Sequence, residues 1–300
     1  REVAARLEEI ARRPEAMFAE TAIMRAVMAP SLTKRAAGEK GPARARPSVG
    51  DISTRSPSFG EAAPPLGDDL AVRGALAAHA GAGSLSVHAM LGLHAAFVAG
   101  VVPVVAGTRG YDLLRAYASA VAGGRLHWIP IGSSAMEPHD LLGRFDGASG
   151  RILPSPSGLL DVVRDARQSG RLHVVVLEGF NRAPTEAYLS PILEAAQASR
   201  TGDAARTIPI ASPELLAEDD PYREVGGRLA WPPSVLIACL PSDGSVTLPV
   251  PPSVWRFLAL LDADDRDRPL MPPVPEGSVT PTRTEIAPTL WKEGVTSAQG

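Results

Sequence analysis

Residues 172–188, LHVVVLEGFNRAPTEAY, decide how the whole chain is read. The three valines and the leucine predict a buried strand over Leu172–Leu177, followed by a turn and a helix from Pro184 to Ala198. A strand of this kind, ending in an acid and turning into a helix, is how a nucleotide-hydrolysing site presents its carboxylates. One holds the metal, and its neighbour polarises the attacking water. Glu178 stands at the first of those positions. Gly179 stands at the second, and glycine has no side chain with which to activate water.

On either side of this stretch the pattern repeats. Asp68–His79 and Leu85–Ala99 read as helices, Val101–Val105 as a strand, Leu113–Ala122 as a helix and Leu126–Ile131 as a strand. Gly158–Arg167 is a helix, and Val235–Leu240 and Phe257–Leu261 complete five strands. Apolar strands alternating with helices predict a parallel sheet covered on both faces. Ahead of this core, residues 1–29 read as a helical arm, with Val3, Leu7 and Ile10 at helical spacing and Pro14 opening a second helix. Residues 30–67, rich in Pro, Gly, Ser and Arg, read as a linker whose Lys34, Arg35, Lys40, Arg44 and Arg46 could touch phosphates, the blander reading being a solvated tether. The core runs over 68–262, with a polar, hairpin-like excursion between Thr207 and Trp231. A Pro-rich tail over 263–300 is not expected to pack regularly or to form a helical lid.

Composition narrows the function class. A hydrophobic share of 45% and a charged share of 21% fit a globular protein with a core. The net charge of −3 gives no electrostatic case for wholesale binding to nucleic acid or a membrane. The single cysteine, Cys239, lies in an apolar run, so no disulfide framework exists and a cytoplasmic setting is expected. The apolar stretch Ala89–Gly107 contains His94, Pro103 and several glycines, and reads as a buried helix followed by a buried strand rather than a membrane span. The histidines show no metal-ligand spacing with Cys239; His88 and His94 read as packing or capping residues, and Ser84 or Ser86 as helix N-caps. Ser133 and Ser134 lack the glycines of a nucleophile elbow.

In a parallel sheet, chemistry collects at the carboxyl ends of the strands. The first strand runs into Gly107-Thr108-Arg109-Gly110, where a phosphate-binding loop belongs. Such a loop needs backbone amides, a lysine for the outer phosphates and a Ser or Thr for magnesium. Gly107 and Gly110 are present, but Tyr111 and Asp112 replace the Lys-Ser/Thr pair, and no lysine occurs between residues 41 and 291. Arg109 is the remaining candidate for a phosphate contact, although its fork is no substitute for a point charge. The third strand ends at Glu178, followed by Asn181 and Arg182. The fourth ends at Pro241, with Asp243 the nearest acid.

Taken in order, these motifs resemble the AAA+ ATPases of the McrB and MoxR (dynein-related) branch, from about Leu85 to Asp262. The segments that carry the likeness are WIPIGSSAMEPHDLLGRFD with its Asp140–Gly143 motif, VVVLEGFNRAPTEAYLSPILEA, WPPSVLIACLPSDG and PPSVWRF. The resemblance implies a three-layer α/β, P-loop NTPase-like (AAA+) domain with a five-stranded parallel sheet, plus the N-terminal helical arm. It implies ATP or GTP with Mg as cofactor and a homo- or hetero-oligomeric ring, touching nucleic acid only indirectly. Residue by residue, it implies Glu178 as metal and catalytic acid, and Arg256 as an arginine finger lent to a neighbour's site. Gly107, Arg109, Gly110, Asn181 and Asp243 would contact nucleotide. The missing lysine, second acid and sensor asparagine point instead to a degenerate module, an assembly or regulatory subunit of a multi-component complex in a defence or restriction setting. A divergent but active ATP- or GTP-hydrolysing motor and a nucleotide-independent interaction scaffold are the alternatives.

Overall fold

Five parallel strands form the central sheet of the protein, in the spatial order Leu258–Asp262, Val102–Ala106, Val235–Leu240, His173–Glu178 and Leu126–Pro130. The computed structural model describes residues 63–201, 206–242, 247–264, 281–288 and 290–291. All belong to one of the two units into which the chain divides, Arg55–Gly300. The expected N-terminal arm, the basic residues of the linker and Asp243 lie outside the described residues.

Along the chain, β1 (Pro65–Leu66) precedes α1 (Asp69–Ala82), α2 (Val87–Val98), β2 (Val102–Ala106), α3 (Gly110–Val121) and β3 (Leu126–Pro130). A short α4 (Pro138–Leu142) leads into a hairpin of β4 (Gly143–Asp146) and β5 (Arg151–Pro154), followed by α5 (Leu159–Ser169) and β6 (His173–Glu178). Next come α6 (Thr185–Tyr188), α7 (Ser190–Thr201), the pair β7 (Ile208–Pro209) and β8 (Arg228–Leu229), and β9 (Val235–Leu240). The described residues end with α8 (Pro252–Trp255), β10 (Leu258–Asp262) and β11 (Glu285–Ile286).

All five expected sheet strands form, and strand alternation sorts their side chains into two cores. Val175, Leu177, Val235, Ile237 and Cys239 face one side, packed with residues of α5, α6 and α7 such as Val163, Tyr188 and Ile192. Val174, Val176, Leu236, Ala238 and Leu240 face the other, packed with residues of α1, α2 and α3 such as Leu76, Leu93 and Leu114. The result is a three-layer α/β fold around a five-stranded parallel sheet. Each fully buried Val or Leu in these cores contributes roughly 1.5–3 kcal/mol.

Several sequence expectations are refined. The strand over 172–177 is interior and buried, but the middle position belongs to β9, which pairs with both β6 and β2. The helix expected from Pro184 to Ala198 is two helices, divided at Leu189. Pro191 is the cause: it has no N–H with which to continue the ladder back to the preceding turn. The excursion between Thr207 and Trp231 does contain a short antiparallel pair, β7 with β8. The hairpin β4–β5 was not foreseen.

Residues assigned from the sequence to linker and tail belong to the packed unit. Pro65–Leu66 pairs in parallel with Glu285–Ile286, and Ile286 and Trp291 are buried. The buried Arg125 holds this segment through Glu285 at 2.5 Å, and the Trp291 indole donates to the Pro233 carbonyl at 3.1 Å.

At the amino end of the sheet, two histidines sit side by side on β3 and β6. His127 Nε2 and His173 Nδ1 are 3.1 Å apart, and His173 Nε2 lies 2.9 Å from Asp165. The Ala89–Gly107 stretch is the end of α2, a turn and β2. Among the described residues, no helix is long and apolar enough to cross a membrane.

Candidate functional site at the carboxyl edge of the sheet

Because the sheet is wholly parallel, β2, β6 and β9 deliver their carboxyl ends to one edge. Gly107 follows β2, Glu178 closes β6, and Pro241 follows β9. The structure thus brings Gly107, Arg109, Gly110, Glu178 and Asn181 to one region. Asp243 lies outside the described residues. Arg256 is at the end of α8, where its guanidinium is 3.1 Å from Glu194 and lies over the Phe257 ring at 4.5 Å.

The loop after β2 is short. A phosphate-binding loop of the Walker type spaces its flanking glycines with four residues between them, whereas only Thr108 and Arg109 separate Gly107 from Gly110. Gly107 has φ +104°, and a Cβ there would sit 2.9 Å from the Asp264 carboxylate. That carboxylate accepts hydrogen bonds from the Thr108 amide at 2.7 Å, the Arg109 amide at 3.0 Å and the Thr108 hydroxyl at 3.1 Å. The Thr108 amide is the foremost cause holding Asp264 below the usual carboxylate range, with the Arg109 amide and the Thr108 hydroxyl assisting. The helix α3 has no side-chain cap of its own at its first turn; Asp264, 156 residues away, supplies the anion to its entry.

Arg109 does not turn into this loop. Its guanidinium donates to the carbonyls of Ser84 and Gly83, the latter at 2.7 Å, and lies 3.9 Å from Asp112. Asp112, Asp262 and Asp264 therefore surround a loop that, to hold phosphates, would need net positive potential.

Glu178 is also engaged. The phenol of Tyr111, one residue into α3, donates to its Oε1, and the Tyr111 ring packs on Trp128 of β3 at 5.0 Å between centroids. The tyrosine standing where the sequence reading looked for a lysine thus engages one oxygen of Glu178. Beyond it, Gly179 adopts φ +66°, and a Cβ would meet the Arg182 side chain at 3.0 Å. An acid at this position would need both backbone strain and displacement of Arg182. Asn181 and Arg182 instead grip the end of β9. Asn181 Oδ1 accepts from the Ser242 amide at 2.8 Å, and Arg182 Nε donates to Ser242 Oγ at 3.1 Å.

The residues described at this edge do not fit a magnesium triphosphate. The amides that would cradle phosphates are bonded to Asp264, the Glu178 carboxylate accepts from Tyr111, and position 179 carries no side chain. Asp264, Tyr111 and Ser242 were missed as site residues. Asp264 had one legible signal: an acid just past the end of the fifth strand, at the same edge where the other strand ends were sought.

A cleft of about 500 Å³ opens next to this edge, walled by Trp128, Ala135, Asp140, Arg144, Ser155 and Ser157. Asp140, the first residue of the Asp-Leu-Leu-Gly motif, has a structural task there. It accepts from the amides of Met136 at 2.9 Å and Glu137 at 3.1 Å and pairs with Arg144. The Met136 amide is the main reason its carboxyl is held below the ordinary range. Among the described residues no group of His, Cys, Asp and Glu could hold a metal ion. Cys239 is buried, and burial pushes its thiol above the ordinary value, which leaves it unreactive.

No protein-family model matches the chain, and no curated protein matches it. Among solved structures, it is similar to a crystal structure named as a "putative ATPase" from Cytophaga hutchinsonii, at 13% identity and a TM-score of 0.43. The match covers 76% of this chain and 63% of that one. A likeness of that depth carries no weight on function.

Proposed function

We propose that this protein is a catalytically silent ATPase-fold module of McrB/MoxR-like AAA+ type, serving as an assembly or regulatory subunit of a multi-component complex. The observation that carries the reading is the Tyr111–Glu178 hydrogen bond. It engages Glu178, the acid that the resemblance assigns to the metal, with a side chain from the very helix that should carry the phosphate-binding lysine. Gly179, in a left-handed conformation against Arg182, supports the same conclusion for the water-polarising position. The architecture of a nucleotide motor is kept while its polar groups serve one another. A ring with itself or beside an active partner is the setting in which such a module retains a task, and the defence or restriction context follows the sequence resemblance. Arg256 is the residue proposed to reach a neighbour's site, exchanging its Glu194 contact for a phosphate.

Steady-state hydrolysis of ATP and GTP with Mg tests this directly. Losing a positioning group costs on the order of 10²-fold or more, so wild-type protein and Glu178→Gln are both expected at background. A clear rate abolished by Glu178→Gln overturns the silent reading in favour of a divergent motor. In a complex reconstituted with an active partner, Arg256→Ala is expected to lower the partner's rate; equal rates favour a scaffold with no role in nucleotide chemistry.

A further inference from the structure

We infer that Asp264 is a built-in substitute for phosphate: its carboxylate occupies the loop after β2 and closes that loop to nucleotide. The inference deepens the silent-module reading and rests on it, because it names what fills the seat that reading leaves without nucleotide.

The delivery is rigid. β10 pairs with β2 residue by residue, ending at Asp262 opposite Ala106, and the ladder continues one step further as the Ala263 amide donates to the Ala106 carbonyl at 2.8 Å. The chain then turns, held by the Asp264 amide donating to Asp262 Oδ1 at 2.9 Å. That turn lays the Asp264 side chain over Gly107 and Thr108. Both carboxylate oxygens are used: Oδ2 takes the Thr108 amide and Oδ1 the Arg109 amide. Two adjacent backbone amides and a hydroxyl converging on one carboxylate are the donor set that a loop of this type turns toward a phosphate oxygen. Gly107 permits the approach, since any Cβ at that position would collide with the carboxylate.

Charge acts in the same direction. An incoming phosphate would have to displace an anion held by charge-assisted bonds and would meet Asp112 and Asp262 beside it. Arg109, the cation within this loop, is turned to the carbonyls of Gly83 and Ser84. The module is thus locked in the loop conformation that a bound phosphate would impose, without binding one.

The test uses the full chain, as wild type and as Asp264→Ala. Amide hydrogen exchange over residues 107–110 and NMR shifts of the Thr108 and Arg109 amides are followed, with pyrophosphate and ATP as separate probes. Wild type is expected to show a protected loop and no saturable shift with either. In Asp264→Ala, exchange should rise by about tenfold or more, as expected for losing two charge-assisted bonds. Pyrophosphate should then shift both amides saturably and slow their exchange again. A response to pyrophosphate alone identifies the seat as one for phosphate groups, and a response to ATP as well extends it to nucleotides; both uphold the inference. A merely structural cap would raise exchange without restoring anion binding, and that result overturns it. A loop as protected in the variant as in wild type, or wild type binding pyrophosphate as well as the variant, overturns it too. If Asp264→Ala fails to fold, Asp264→Asn, which keeps the volume and removes the charge, is judged by the same outcomes. Hydrolysis measured on the same samples separates the two claims: turnover by wild type breaks the silent reading, whereas an unresponsive loop in the variant breaks only this inference.

Discussion

The two ends of the sheet are both rich in polar side chains, and they use them differently. At the amino end, Arg125, Glu285, His127, His173 and Asp165 meet around the starts of β3 and β6, with Arg125, His173 and Glu285 buried. At the carboxyl end, Asp264, Tyr111, Glu178, Asn181 and Arg182 pair across exposed or half-buried loops. Pairing at the amino end is a condition of folding, because a buried charge without a partner is costly. Pairing at the carboxyl end is not forced by burial. Solvent could satisfy those groups, so their mutual engagement reflects how the strand ends place them rather than a need to compensate desolvation.

The largest expected effect lies at the amino end. Arg125→Ala leaves Glu285 buried without its partner and releases the segment that carries Trp291. Breaking a buried pair costs about 3–5 kcal/mol, so the urea midpoint should fall steeply. A loss below about 1 kcal/mol would dissolve the distinction between the two ends.

Acid should sharpen the distinction next. Burial, with Arg125 assisting, lowers His127 to about 4, and burial, with His127, Arg125 and Arg171 assisting, lowers His173 to about 3. In the unfolded chain both titrate near 6.5. The unfolded state therefore takes up protons first as pH falls, and stability is lost below the unfolded value. Between pH 7 and pH 5 the loss is about 2 kcal/mol per histidine. Denaturant melts at the two pH values check this, and His127→Gln should remove roughly half of the dependence. A flat profile would mean that the pair is solvated. Asp264 acts in the same sense at the other end but at lower pH: its carboxyl is held below the ordinary range, so the stability it contributes is present above the unfolded carboxylate value and is lost as pH falls below that toward the lowered one.

The smallest effect belongs to the carboxyl end. Tyr111→Phe removes one hydrogen bond to a partner that water can reach, so stability should change by about 0.5–1.5 kcal/mol at most. It should leave hydrolysis at background, because Gly179 and the missing lysine are unaffected. A gain of turnover in Tyr111→Phe would make the tyrosine a brake on a working site.

The framework of the fold was legible because it is written in local apolar runs. VVVL and VLIACL can only be interior strands, and their alternation separates the two cores without knowledge of partners. Strand order was not legible, since the same runs permit several neighbours, and β9 rather than β6 holds the middle. The residue types at the strand ends were legible too: a glycine at 179 and no lysine between residues 41 and 291 need no coordinates. The contacts made there were not. Asp264 reaches Thr108 across 156 residues, and Tyr111 reaches Glu178 across 67. Contacts of that separation leave no spacing in a single sequence. The hairpin β4–β5 escaped because its strands are short and its turn, capped by Asp146 accepting from the Ala148 and Ser149 amides at 3.2 and 3.1 Å, has the composition of a loop.

The pairing of β1 with β11 has a bearing on how the chain is held closed. Pro65 lies opposite Glu285, so the first and last strands among the described residues are neighbours, about 5 Å apart. Their pairing closes the chain between them into one long loop. The Arg125–Glu285 pair and the Trp291 anchor act as a clasp on that closure, so that parting the two strands also means breaking a buried ion pair and withdrawing an indole.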